Sequence, residues 1–472
     1  MHESILAAHI PQPVYKPASP FPPITKAAAM SQDRQYWDEK LETQSRAEWD
    51  ALKLGLLQEH LRHAYANSPY YRASFDAAGV HPDQLKTLDD LRRFPTLDKK
   101  ILRERQEAAP LLGDLAAVPE REVVYVSASS GSTGVPTVSP FTQQDFDDWI
   151  DYEARQFWSS GLRPHDRYAH SLNFSLFIGG PCVLGAQKLG ALTIHAGTVP
   201  SERLLAILKQ FQATAIWTTP SYAWYLGETA QKEGIDPKTE LAVKRIFVAG
   251  EPGGSIPETR ARIEALWGAD VYDYYGLSDI FGSCAGMCEH KDGLHWAEDH
   301  ILVEVIDPDS GEHVPYGERG EMVLTTLKKR ARPLIRFRTG DIVSFTDAPC
   351  GCGRTSQRLL GVHGRRDDML IIRGVNIFPS DVEAIVRKDH DFSGEYRLVV
   401  DRVDHLDRLT IEAEHHADFR GSSAELAERL KDKVKALTGV GAHVSILDPD
   451  TLPRATHKAK RVEDRRGQVW TR

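Results

Sequence analysis

The last hundred residues constrain the fold more tightly than any other part of this 472-residue chain. Apolar and β-branched runs predict four strands there, at residues 369–372, 397–403, 409–414 and 442–447. A capping box at Ser380 and Glu383 predicts a helix that runs to about Lys388, and Ser422 with Glu425 predicts the start of a second helix. The resulting order βαββαβ predicts a small ferredoxin-like α+β domain.

Strand-like and helix-like stretches alternate in the middle of the chain. Residues 213–219 and 245–249 predict strands, and residues 202–211 and 258–267 predict helices. Such alternation is typical of α/β layers. Beyond about residue 300 the pattern changes, and two runs predict an antiparallel β region, at 301–306 and 321–326. The predicted fold class is therefore α/β, with a large multi-layer N-terminal domain that includes this β region.

A stretch dense in glycine and charged residues, 364–379, separates the two predicted regions. We therefore predict a large domain over residues 1–364 and a small domain over residues 365–472. The large domain opens with a Pro-rich lead over residues 1–34, which is expected to be extended. Amphipathic helices are predicted to follow it between Gln35 and Ala66, where tryptophan and leucine recur at helical spacing.

Composition excludes several classes of protein. A net charge of −9 and a pI of about 6.1 argue against a nucleic-acid partner, which favours a basic face. No apolar run reaches the roughly 18 residues that span a bilayer, and the first residues lack the basic start of a signal peptide. Five cysteines in so long a chain do not indicate a disulfide scaffold. We therefore expect a cytoplasmic protein with reduced thiols and no membrane partner.

A loop rich in serine, glycine and threonine occupies residues 127–137, after the strand-like run 122–126. Glycine lets the backbone approach a ligand closely, and successive N–H groups can form a concave anion site. The loop is not a Walker A motif, because no Gly-Lys-Ser/Thr follows. It therefore predicts either a polyphosphate-binding loop or an ordinary turn, and residues 140–146 are predicted to lead from it into a helix.

Further motifs decide between these two interpretations. After the 127–137 loop come Tyr275-Gly-Leu-Ser-Asp279, Arg338-Thr-Gly-Asp341, the 364–379 stretch and Pro453-Arg-Ala-Thr-His-Lys-Ala-Lys-Arg461. In this order they resemble the motifs of adenylate-forming enzymes. Three phrases resemble the phenylacetate–CoA ligase branch in particular: Gly250-Glu-Pro-Gly-Gly254, Asp292-Gly-Leu-His295 and Cys350-Gly-Cys-Gly-Arg354. The resemblance covers roughly residues 45–472.

The resemblance implies a reaction in two steps. The carboxylate of an acid attacks the α-phosphorus of ATP to form an acyl adenylate, and the acyl group then passes to a thiol. Lys458 stands at the catalytic position, where an ammonium bridges carboxylate and α-phosphate oxygens in the transition state. Lys460 is the second candidate, because His457 replaces the family's usual glycine. By charge pattern alone, the same segment would also suit a solvated basic tail.

The resemblance also assigns the nucleotide site. Asp341 would hold the ribose hydroxyls, because a carboxylate accepts two hydrogen bonds from a diol, although Thr-Gly-Asp is also a common turn. Arg365 would approach the ribose or the phosphates, and Tyr275 would pack against adenine with Gly276 beside it. The complete nucleotide-binding set is Ser129, Ser130, Gly131, Ser132, Thr133, Gly134, Gly250, Glu251, Pro252, Asp273, Tyr275, Gly276, Asp341 and Arg365.

The charges of this site differ from the family pattern at two positions. Val135 stands where the family loop often has lysine, so the loop offers hydroxyl and backbone donors but no fixed positive charge. Asp279 stands where the family has glutamate, and it would bind Mg²⁺ directly or through water because its side chain is shorter. Asp367 lies at the hinge position, where rotation of a mobile small domain would deliver Lys458 and then admit the thiol. The pair Asp367-Asp368 would equally suit a solvated turn.

The acyl pocket is predicted from residues 173–180 and 217–221, with residues 249–252 as the wall towards adenine. Aromatic and aliphatic side chains suit an aryl or arylacetic acid, although the same side chains would serve equally well in a core. These two segments offer no positive residue for a second carboxylate, which disfavours diacids. The proposed pocket residues are Phe174, Phe177, Ile178, Gly179, Trp217 and Ala249.

The cysteines predict a structural metal site. The phrases shared with the branch imply a zinc ion bound by Cys288, His295, Cys350 and Cys352, with Cys284 as the substitute ligand. The alternative is a set of reduced surface thiols, because Cys-X-Cys is tighter than the spacing of common zinc knuckles. The zinc would fix the antiparallel region and would take no part in the chemistry. Cys182 lies in an apolar stretch and is predicted to be a core residue.

These inferences lead to one main hypothesis and two alternatives. The main one is an AMP-forming ligase that joins an aryl or arylacetic acid to coenzyme A, with ATP, Mg²⁺ and a structural Zn²⁺. The first alternative is a stand-alone adenylating enzyme that loads a carrier-protein thiol. The second is a non-catalytic nucleotide- or zinc-dependent scaffold, which Val135, Asp279 and His457 keep open. A homodimer is suggested by the family resemblance alone.

Overall fold

The computed structural model describes residues 34–109, 111–129, 136–174, 178–251, 253–366, 369–372, 375–403, 406–453 and 461–466. Internal contacts divide the chain into a short unit, Met1–Gln35, and a large unit, Tyr36–Arg472. The predicted Pro-rich lead, residues 1–34, falls in the first unit and lies outside the described residues up to residue 33. All elements named below belong to the large unit.

The large unit opens with helices α1 (Glu39–Glu42), α2 (Arg46–Asn67), α3 (Pro69–Ala78) and α4 (Lys99–Ala108). A reciprocal capping box between Ser45 and Glu48 starts α2. Ser68 caps α3, whose first residue is a proline that needs no N–H partner there. Leu57 and Phe75 are fully buried in the main core. The helices predicted between Gln35 and Ala66 are thus confirmed.

The serine- and glycine-rich loop joins two antiparallel strands, β1 (Val123–Ala128) and β2 (Val138–Thr142). Helix α5 (Gln143–Ser159) follows directly, with a capping box between Thr142 and Asp145. The predicted helix after the loop is confirmed, whereas the strand β2 before it is not predicted from the sequence. Val-Ser-Pro-Phe-Thr contains a proline, which lowers strand propensity, yet Pro140 pairs with Val126 in the hairpin.

Eleven of the described strands form one mixed sheet. They are β3 (Arg167–His170), β4 (Leu192–His195), β5 (Ala215–Thr218), β6 (Arg245–Ala249), β7 (Asp270–Leu277), β8 (Phe281–Met287), β9 (Leu294–Trp296), β10 (Ile301–Ile306), β11 (Gly320–Thr326), β12 (Phe337–Thr346) and β13 (Arg358–Arg365). Their spatial order is β10-β11-β12-β13-β9-β8-β7-β6-β5-β3-β4. Strands β3 to β7 pair in parallel, and all pairs from β7–β8 onwards are antiparallel.

Helices cover both faces of the parallel half. They are α5, α6 (Val183–Leu189), α7 (Ser201–Gln210), α8 (Pro220–Lys232), α9 (Pro237–Glu240) and α10 (Pro257–Trp267). Successive residues of β6 point to opposite sides: Phe247 joins the core of α5 and α6, while Ile246 and Val248 join the core of α7, α8 and α10. Within the described ranges, no helix has the length and apolarity that crossing a bilayer requires.

The small C-terminal domain contains a hairpin, two helices and a four-stranded sheet. Its elements are β14 (Leu370–Ile372), β15 (Val375–Ile377), α11 (Pro379–Lys388), β16 (Phe392–Val403), β17 (Leu406–His415), α12 (Ser423–Thr438), β18 (His443–Leu447) and β19 (Val462–Asp464). The sheet order is β18-β17-β16-β19, with β16 and β17 antiparallel and both outer pairs parallel. A separate core of its own supports this domain, so the predicted fold class is confirmed.

Two details of the small domain correct the prediction. The strand predicted at 369–372 pairs with β15 in a separate hairpin, and β19 takes the edge position beside β16. The capping box at Ser380 and Glu383 is absent, because Pro379 is the first helical residue and Phe378 is the N-cap. The Ser380 hydroxyl instead donates to the His363 carbonyl oxygen. Ser422 caps α12 as predicted.

Glu153 is an uncompensated carboxyl in the core between α5 and the sheet. It is fully buried and accepts hydrogen bonds from the Ser283 hydroxyl at 2.7 Å and from Trp149 Nε1 at 3.2 Å. Burial raises its pKa to about 7, because no described cation bonds to it. The folded protein therefore binds a proton at Glu153 at pH values where the unfolded chain has released it.

Glu153→Gln is expected to reduce the loss of stability at rising pH. A carboxyl whose folded pKa lies above its unfolded value stabilises the fold at low pH, and this contribution is lost as pH rises from about 4.5 to about 7. The difference in free energy of unfolding between variant and wild type should therefore change by roughly 3 kcal/mol in favour of the variant between pH 4.5 and pH 8. Denaturant unfolding across this range measures it. The exposed Glu107→Gln is the control, and equal pH slopes for wild type and Glu153→Gln would contradict the expectation.

Candidate active site and metal centre

The motif 275–279 lies at the seam of the large sheet, where the parallel half meets the antiparallel half. Strand β7 is parallel to β6 and antiparallel to β8, so the motif forms the turn between the two halves. Ligands of open α/β sheets bind beyond the carboxyl ends of the parallel strands. A Cβ on Gly276 would lie 1.8 Å from the Gly282 carbonyl oxygen. The close approach of β8 therefore requires this glycine, whereas the family resemblance implies a place for it beside adenine.

Tyr275, Asp341 and Arg365 come from separate motifs and meet at one point. The Tyr275 hydroxyl donates to Asp341 Oδ2 at 2.5 Å, and Arg365 Nη1 donates to Asp341 Oδ1 at 3.2 Å. The register of the sheet brings them together, because Asp341 on β12 pairs directly with Arg365 on β13. Burial, and then the Asp341 charge, raise the pKa of Tyr275 well above its usual value. A buried carboxylate fixed in this way is a suitable acceptor for a ribose diol.

The turn after β6 contains Gly250 and Glu251, and its position is set by acidic side chains. Glu251 accepts hydrogen bonds from the Ser221 N–H at 2.8 Å and from the Ser221 hydroxyl. Asp273 on β7 accepts a hydrogen bond from the Ser255 hydroxyl at the other end of the turn. Burial raises the pKa of Asp273 to about 7. Both acids hold the predicted wall in place, between the start of α8 and β7.

Asp279 anchors the base of the 127–137 loop. The Ser129 N–H donates to the Thr137 carbonyl oxygen at 3.0 Å, and their hydroxyl oxygens lie 2.9 Å apart. The Thr137 hydroxyl also lies 3.0 Å from Asp279 Oδ1. Ser139 Oγ donates to the Asp279 carbonyl oxygen at 3.0 Å. The loop therefore begins and ends directly beside Asp279, so two motifs far apart in sequence form one site.

Two side chains of α4 reach the same place, and neither of them is predicted from the sequence. Gln106 Nε2 donates to the Pro136 carbonyl oxygen at 2.9 Å, and its Oε1 accepts from the Val138 N–H at 2.7 Å. Lys99 Nζ donates to Asp279 Oδ2 at 3.2 Å. Residues 96–100 predict only the start of a helix. A short stretch of sequence does not show that Lys99 will contact Asp279, which lies 180 positions further along the chain.

The residues around Asp279 offer oxygen donors of the kind that Mg²⁺ prefers. The Thr137 hydroxyl and Lys99 already engage the two carboxylate oxygens of Asp279. Protein-bound Mg²⁺ commonly uses one or two carboxylates and takes its other ligands from water and substrate phosphates. The donor set fits an ion of that kind, which would neutralise part of the phosphate charge when bound. Magnesium binding at Asp279 stays a prediction.

The residues predicted for the acyl pocket lie near the carboxyl ends of neighbouring parallel strands. Phe174 follows β3, is 48% exposed and stacks on His195 at the end of β4, with ring centroids 5.9 Å apart. Ile178 and Trp217 are buried, and Trp217 packs on Tyr274 with centroids 4.8 Å apart. Trp217 therefore belongs to the aromatic core beneath the strand ends, and Phe174 is the best-placed wall residue among these.

The other predicted residues divide into two groups. Gly179 immediately precedes the 3₁₀ turn Gly180–Cys182, and Ala249 is the last residue of β6. Several assignments fall outside the described residues and remain predictions: Ser130, Gly131, Ser132, Thr133, Gly134, Phe177, Pro252, Asp367, Lys458 and its second candidate Lys460.

The four residues predicted to bind zinc form one buried cluster. One ligand atom from each of Cys288, His295, Cys350 and Cys352 lies within 4.8 Å of the others. The sulfurs of Cys288 and Cys350 are 3.8 Å apart, and Cys352 Sγ is 3.3 Å from His295 Nε2. Zinc–sulfur bonds of about 2.3 Å in a tetrahedron place two sulfurs about 3.8 Å apart. The donor set and its spacing therefore fit a structural zinc ion.

The surroundings of the cluster orient its ligands. His295 Nδ1 lies 3.0 Å from Ser356 Oγ, which leaves Nε2 directed at the sulfurs. The Arg354 N–H donates to Cys352 Sγ at 3.4 Å, and the neighbouring Cys288 thiol lowers the pKa of Cys352. The thiolate is the form that binds metal, so a thiol that loses its proton readily suits a ligand position.

The other two cysteines lie in the core. Cys284, the predicted substitute ligand, is fully buried on β8, and its Sγ donates to the Phe281 carbonyl oxygen at 3.8 Å. Burial raises its pKa to about 12, which favours the neutral thiol. Cys284 is not one of the four clustered residues, so the structure favours the first-named ligand set. Cys182 is fully buried, and its assignment to the core is confirmed.

Helices α8 and α10 of the large domain contact the small domain. Arg262 donates to the carbonyl oxygens of Asp389 at 3.1 Å and of Phe392 at 3.2 Å. The ring of Trp224 on α8 is contacted by two guanidinium groups, with Arg262 at 5.3 Å and Arg387 at 5.8 Å from its centroid. These contacts hold the small domain in one orientation.

Two family models match this chain. The model of the AMP-binding enzyme family matches residues 71–326, and that of the AMP-binding enzyme C-terminal domain matches residues 374–466. The first range contains the 127–137 loop, the seam motif and the Lys99–Asp279 pair, and the second contains most of the small domain. The chain therefore belongs to the AMP-binding enzyme family, the adenylate-forming enzymes.

Individual relatives show which kind of adenylate-forming enzyme this chain is. The chain is 40% identical to the phenylacetate–coenzyme A ligase of Aromatoleum evansii over 440 residues, which cover 91% of this chain and 97% of that relative. A structure of 2-hydroxyisobutyryl-CoA ligase in the postadenylation state matches with a TM-score of 0.86 and 35% identity, covering 93% and 94% of the two chains. Its thioesterification state matches with a TM-score of 0.70 and 36% identity, covering 92% and 93%. Within its family, the chain is an AMP-forming carboxylate–CoA ligase of the phenylacetate–CoA ligase type.

Proposed function

We propose that this enzyme activates an aryl or arylacetic acid with ATP and transfers the acyl group to coenzyme A. The observation that carries the proposal is the meeting of Tyr275, Asp341 and Arg365 at the seam of the sheet. Aromatic residues such as Phe174 lie near the ends of the neighbouring strands, where an acyl group would extend from the nucleotide. The 40% identity to a phenylacetate–coenzyme A ligase supports the choice of acid.

Each part of the site would have a defined role in the first step. Asp341 would hold the ribose hydroxyls and thereby fix the α-phosphate relative to the 127–137 loop. The loop would donate backbone and hydroxyl hydrogen bonds to phosphate oxygens, where negative charge accumulates. Lys458 would bring a positive charge to the α-phosphate as the carboxylate oxygen attacks. A structural zinc at Cys288, His295, Cys350 and Cys352 would keep β8, β9 and the turn before β13 together.

The second step would use another orientation of the small domain. We assign this domain to residues 365–472, with the hinge at Asp367. A Cβ on Gly364, whose φ is 146°, would lie 2.5 Å from the Phe378 ring, so the start of the small domain packs tightly against this point. The chain resembles the postadenylation state of 2-hydroxyisobutyryl-CoA ligase (TM-score 0.86) more than its thioesterification state (0.70). This difference supports a domain that rotates between the two half-reactions.

A panel of acids assayed with ATP, Mg²⁺ and coenzyme A tests the proposed substrate class. We expect AMP and a thioester from phenylacetate or a benzoate, with kcat/KM at least about 10-fold above the value for 2-hydroxyisobutyrate. The reason is that a hydroxylated four-carbon acid fills less of an aromatic-walled pocket. Quantification of AMP and of the acyl-CoA product by chromatography measures both steps.

Two outcomes would contradict different parts of the proposal. A preference for 2-hydroxyisobutyrate would contradict the aryl pocket but leave the ligase chemistry intact. AMP release that requires a phosphopantetheinylated carrier protein in place of coenzyme A would contradict the proposed acceptor. Phe174→Ala is expected to lower kcat/KM for aryl acids more than kcat/KM for 2-hydroxyisobutyrate. Phe211→Ala is its control, because Phe211 is equally exposed but lies on a different surface, after α7.

A further inference from the structure

The serine- and glycine-rich loop contains no lysine or arginine between residues 127 and 137. Displacement of pyrophosphate leaves several negative charges on the departing group, and hydrogen-bond donors alone balance them incompletely. A cation from another element is therefore needed close to the loop, and the described residues around Asp279 supply three candidates: Lys99, Lys329 and Arg332.

Two of these three cations are committed to the core. Lys329 is 3% exposed, donates to Ser139 Oγ and the Ile280 carbonyl oxygen, and lies 3.6 Å from the centroid of the Phe141 ring. Burial lowers its pKa well below the usual value. Arg332 is also buried, and its guanidinium donates to the Val138 carbonyl oxygen. Both are almost fully buried and support the strands on either side of the loop, although Arg332 Nε and Nη2 have no hydrogen-bond partner among the described residues.

Lys99 differs in exposure and support. Its side chain remains 33% exposed, while its partner Asp279 is 4% exposed, so the ammonium stands at the edge of the site. An ammonium can donate three hydrogen bonds, and Asp279 accepts one of them at 3.2 Å. The Thr137 hydroxyl at the base of the loop lies 3.0 Å from the other oxygen of the same carboxylate. Asp279 thus places one cation directly beside the loop.

The backbone around Lys99 is tied to the rest of the nucleotide site. The Leu97 N–H donates to the Arg336 carbonyl oxygen at 3.0 Å, and the Arg338 N–H donates to the Leu97 carbonyl oxygen at 2.7 Å. These bonds join the start of α4 to β12, the strand that carries Asp341. Two turns further along α4, Gln106 holds the C-terminal arm of the loop. Lys99 is therefore fixed relative to both the ribose site and the loop.

We propose that Lys99 binds the β- and γ-phosphates of ATP and stabilises pyrophosphate as it leaves, with Asp279 and Thr137 as positioning residues. This inference rests on the proposed function. In the step concerned, a carboxylate oxygen forms a bond to the α-phosphorus, and the bond from that phosphorus to the bridging oxygen breaks. The electron pair stays on pyrophosphate, and Lys99 remains protonated throughout. Lys99 supplies the positive charge that the loop itself lacks.

Calorimetric titration of the full-length chain with ATP, AMP and inorganic pyrophosphate tests this role. Lys99→Gln is expected to weaken ATP and pyrophosphate binding about 10- to 100-fold, because one charge-assisted contact is lost, and to change AMP affinity less than twofold. Thioester formation from supplied acyl adenylate should keep its wild-type rate. Lys99→Arg should retain most of the ATP affinity. The neighbouring Lys100→Gln, whose side chain is 81% exposed and pairs with Glu104, should match the wild type.

The results that would overturn the inference are distinct from a failure of the proposed function. An equal loss of affinity for ATP and AMP, or no loss of affinity for either nucleotide, would show that Lys99 only supports the fold. If Lys99→Gln lowers the melting temperature, the titrations are made at a temperature where that variant is folded, and its ATP-to-AMP affinity ratio decides in the same way, because a site that is only distorted loses affinity for both nucleotides. A wild-type protein that forms no AMP with any acid would instead refute the proposed function.

Discussion

Asp341→Ala is expected to lower the affinity for ATP by a factor of roughly 10² to 10⁴. The carboxylate is proposed to accept two hydrogen bonds from the ribose diol, and each bond to a charged group contributes about 1.5–3 kcal/mol. The substitution also leaves Arg365 without the carboxylate it contacts at 3.2 Å and the Tyr275 hydroxyl without its 2.5 Å acceptor. Pyrophosphate–ATP exchange with a good acid substrate measures the loss as a rise in KM for ATP.

Deoxynucleotides separate a lost ribose contact from a disturbed site. Wild-type enzyme should prefer ATP to 2′-deoxy-ATP by about 10- to 100-fold, and Asp341→Ala should reduce that preference to about twofold. Asp347 lies exposed just after the same strand, and Asp347→Ala should leave both values unchanged. A variant at Asp341 that still discriminates against 2′-deoxy-ATP as the wild type does would show that another residue binds the diol.

Apolar runs predict β5 and β6, two of the five strands of the parallel half, because strands buried on both faces need continuous β-branched and aromatic residues. The edge strand β19 escapes prediction, since Val462–Asp464 carries no apolar run and is added to β16 through backbone hydrogen bonds. The spacing of Ser380 and Glu383 matches a capping box, but spacing does not determine where a helix begins. Pro379 does, because its fixed φ suits the first helical position.

Some residues of the candidate site can likewise be predicted from the sequence, and others cannot. Asp341, Tyr275 and the cysteines lie in short motifs whose residue types indicate their chemistry, so the sequence identifies them before any geometry is known. Lys99 depends on the packing of α4 against β12, a contact between segments far apart in the chain. Gly276 shows an intermediate case: the residue is identified, but its reason is the backbone of β8. Local sequence patterns therefore indicate which residues have suitable chemistry. Long-range packing determines which of their side chains lie together in the site.

Cys350→Ser is expected to abolish stoichiometric zinc and to lower the free energy of unfolding by several kcal/mol. Purified wild type should carry about one zinc ion per chain, bound by Cys288, His295, Cys350 and Cys352. Structural zinc contributes about 10–16 kcal/mol of binding free energy in small zinc domains, so the loss of one thiolate ligand removes much of that support. Elemental analysis and thermal unfolding of the same samples measure the two effects together.

Cys284→Ser is the matched control, because Cys284 is equally a buried cysteine but bonds to the Phe281 carbonyl oxygen and not to the cluster. It should keep its zinc, and a hydroxyl should replace the thiol as donor. Addition of a strong chelator to the wild type should reproduce the destabilisation of Cys350→Ser and leave that variant unaffected. Wild-type protein with no zinc, or Cys350→Ser with wild-type zinc content, would contradict the assignment of these four ligands. A loss of zinc with unchanged unfolding would show that the ion is bound but does not hold β8, β9 and the turn before β13 together.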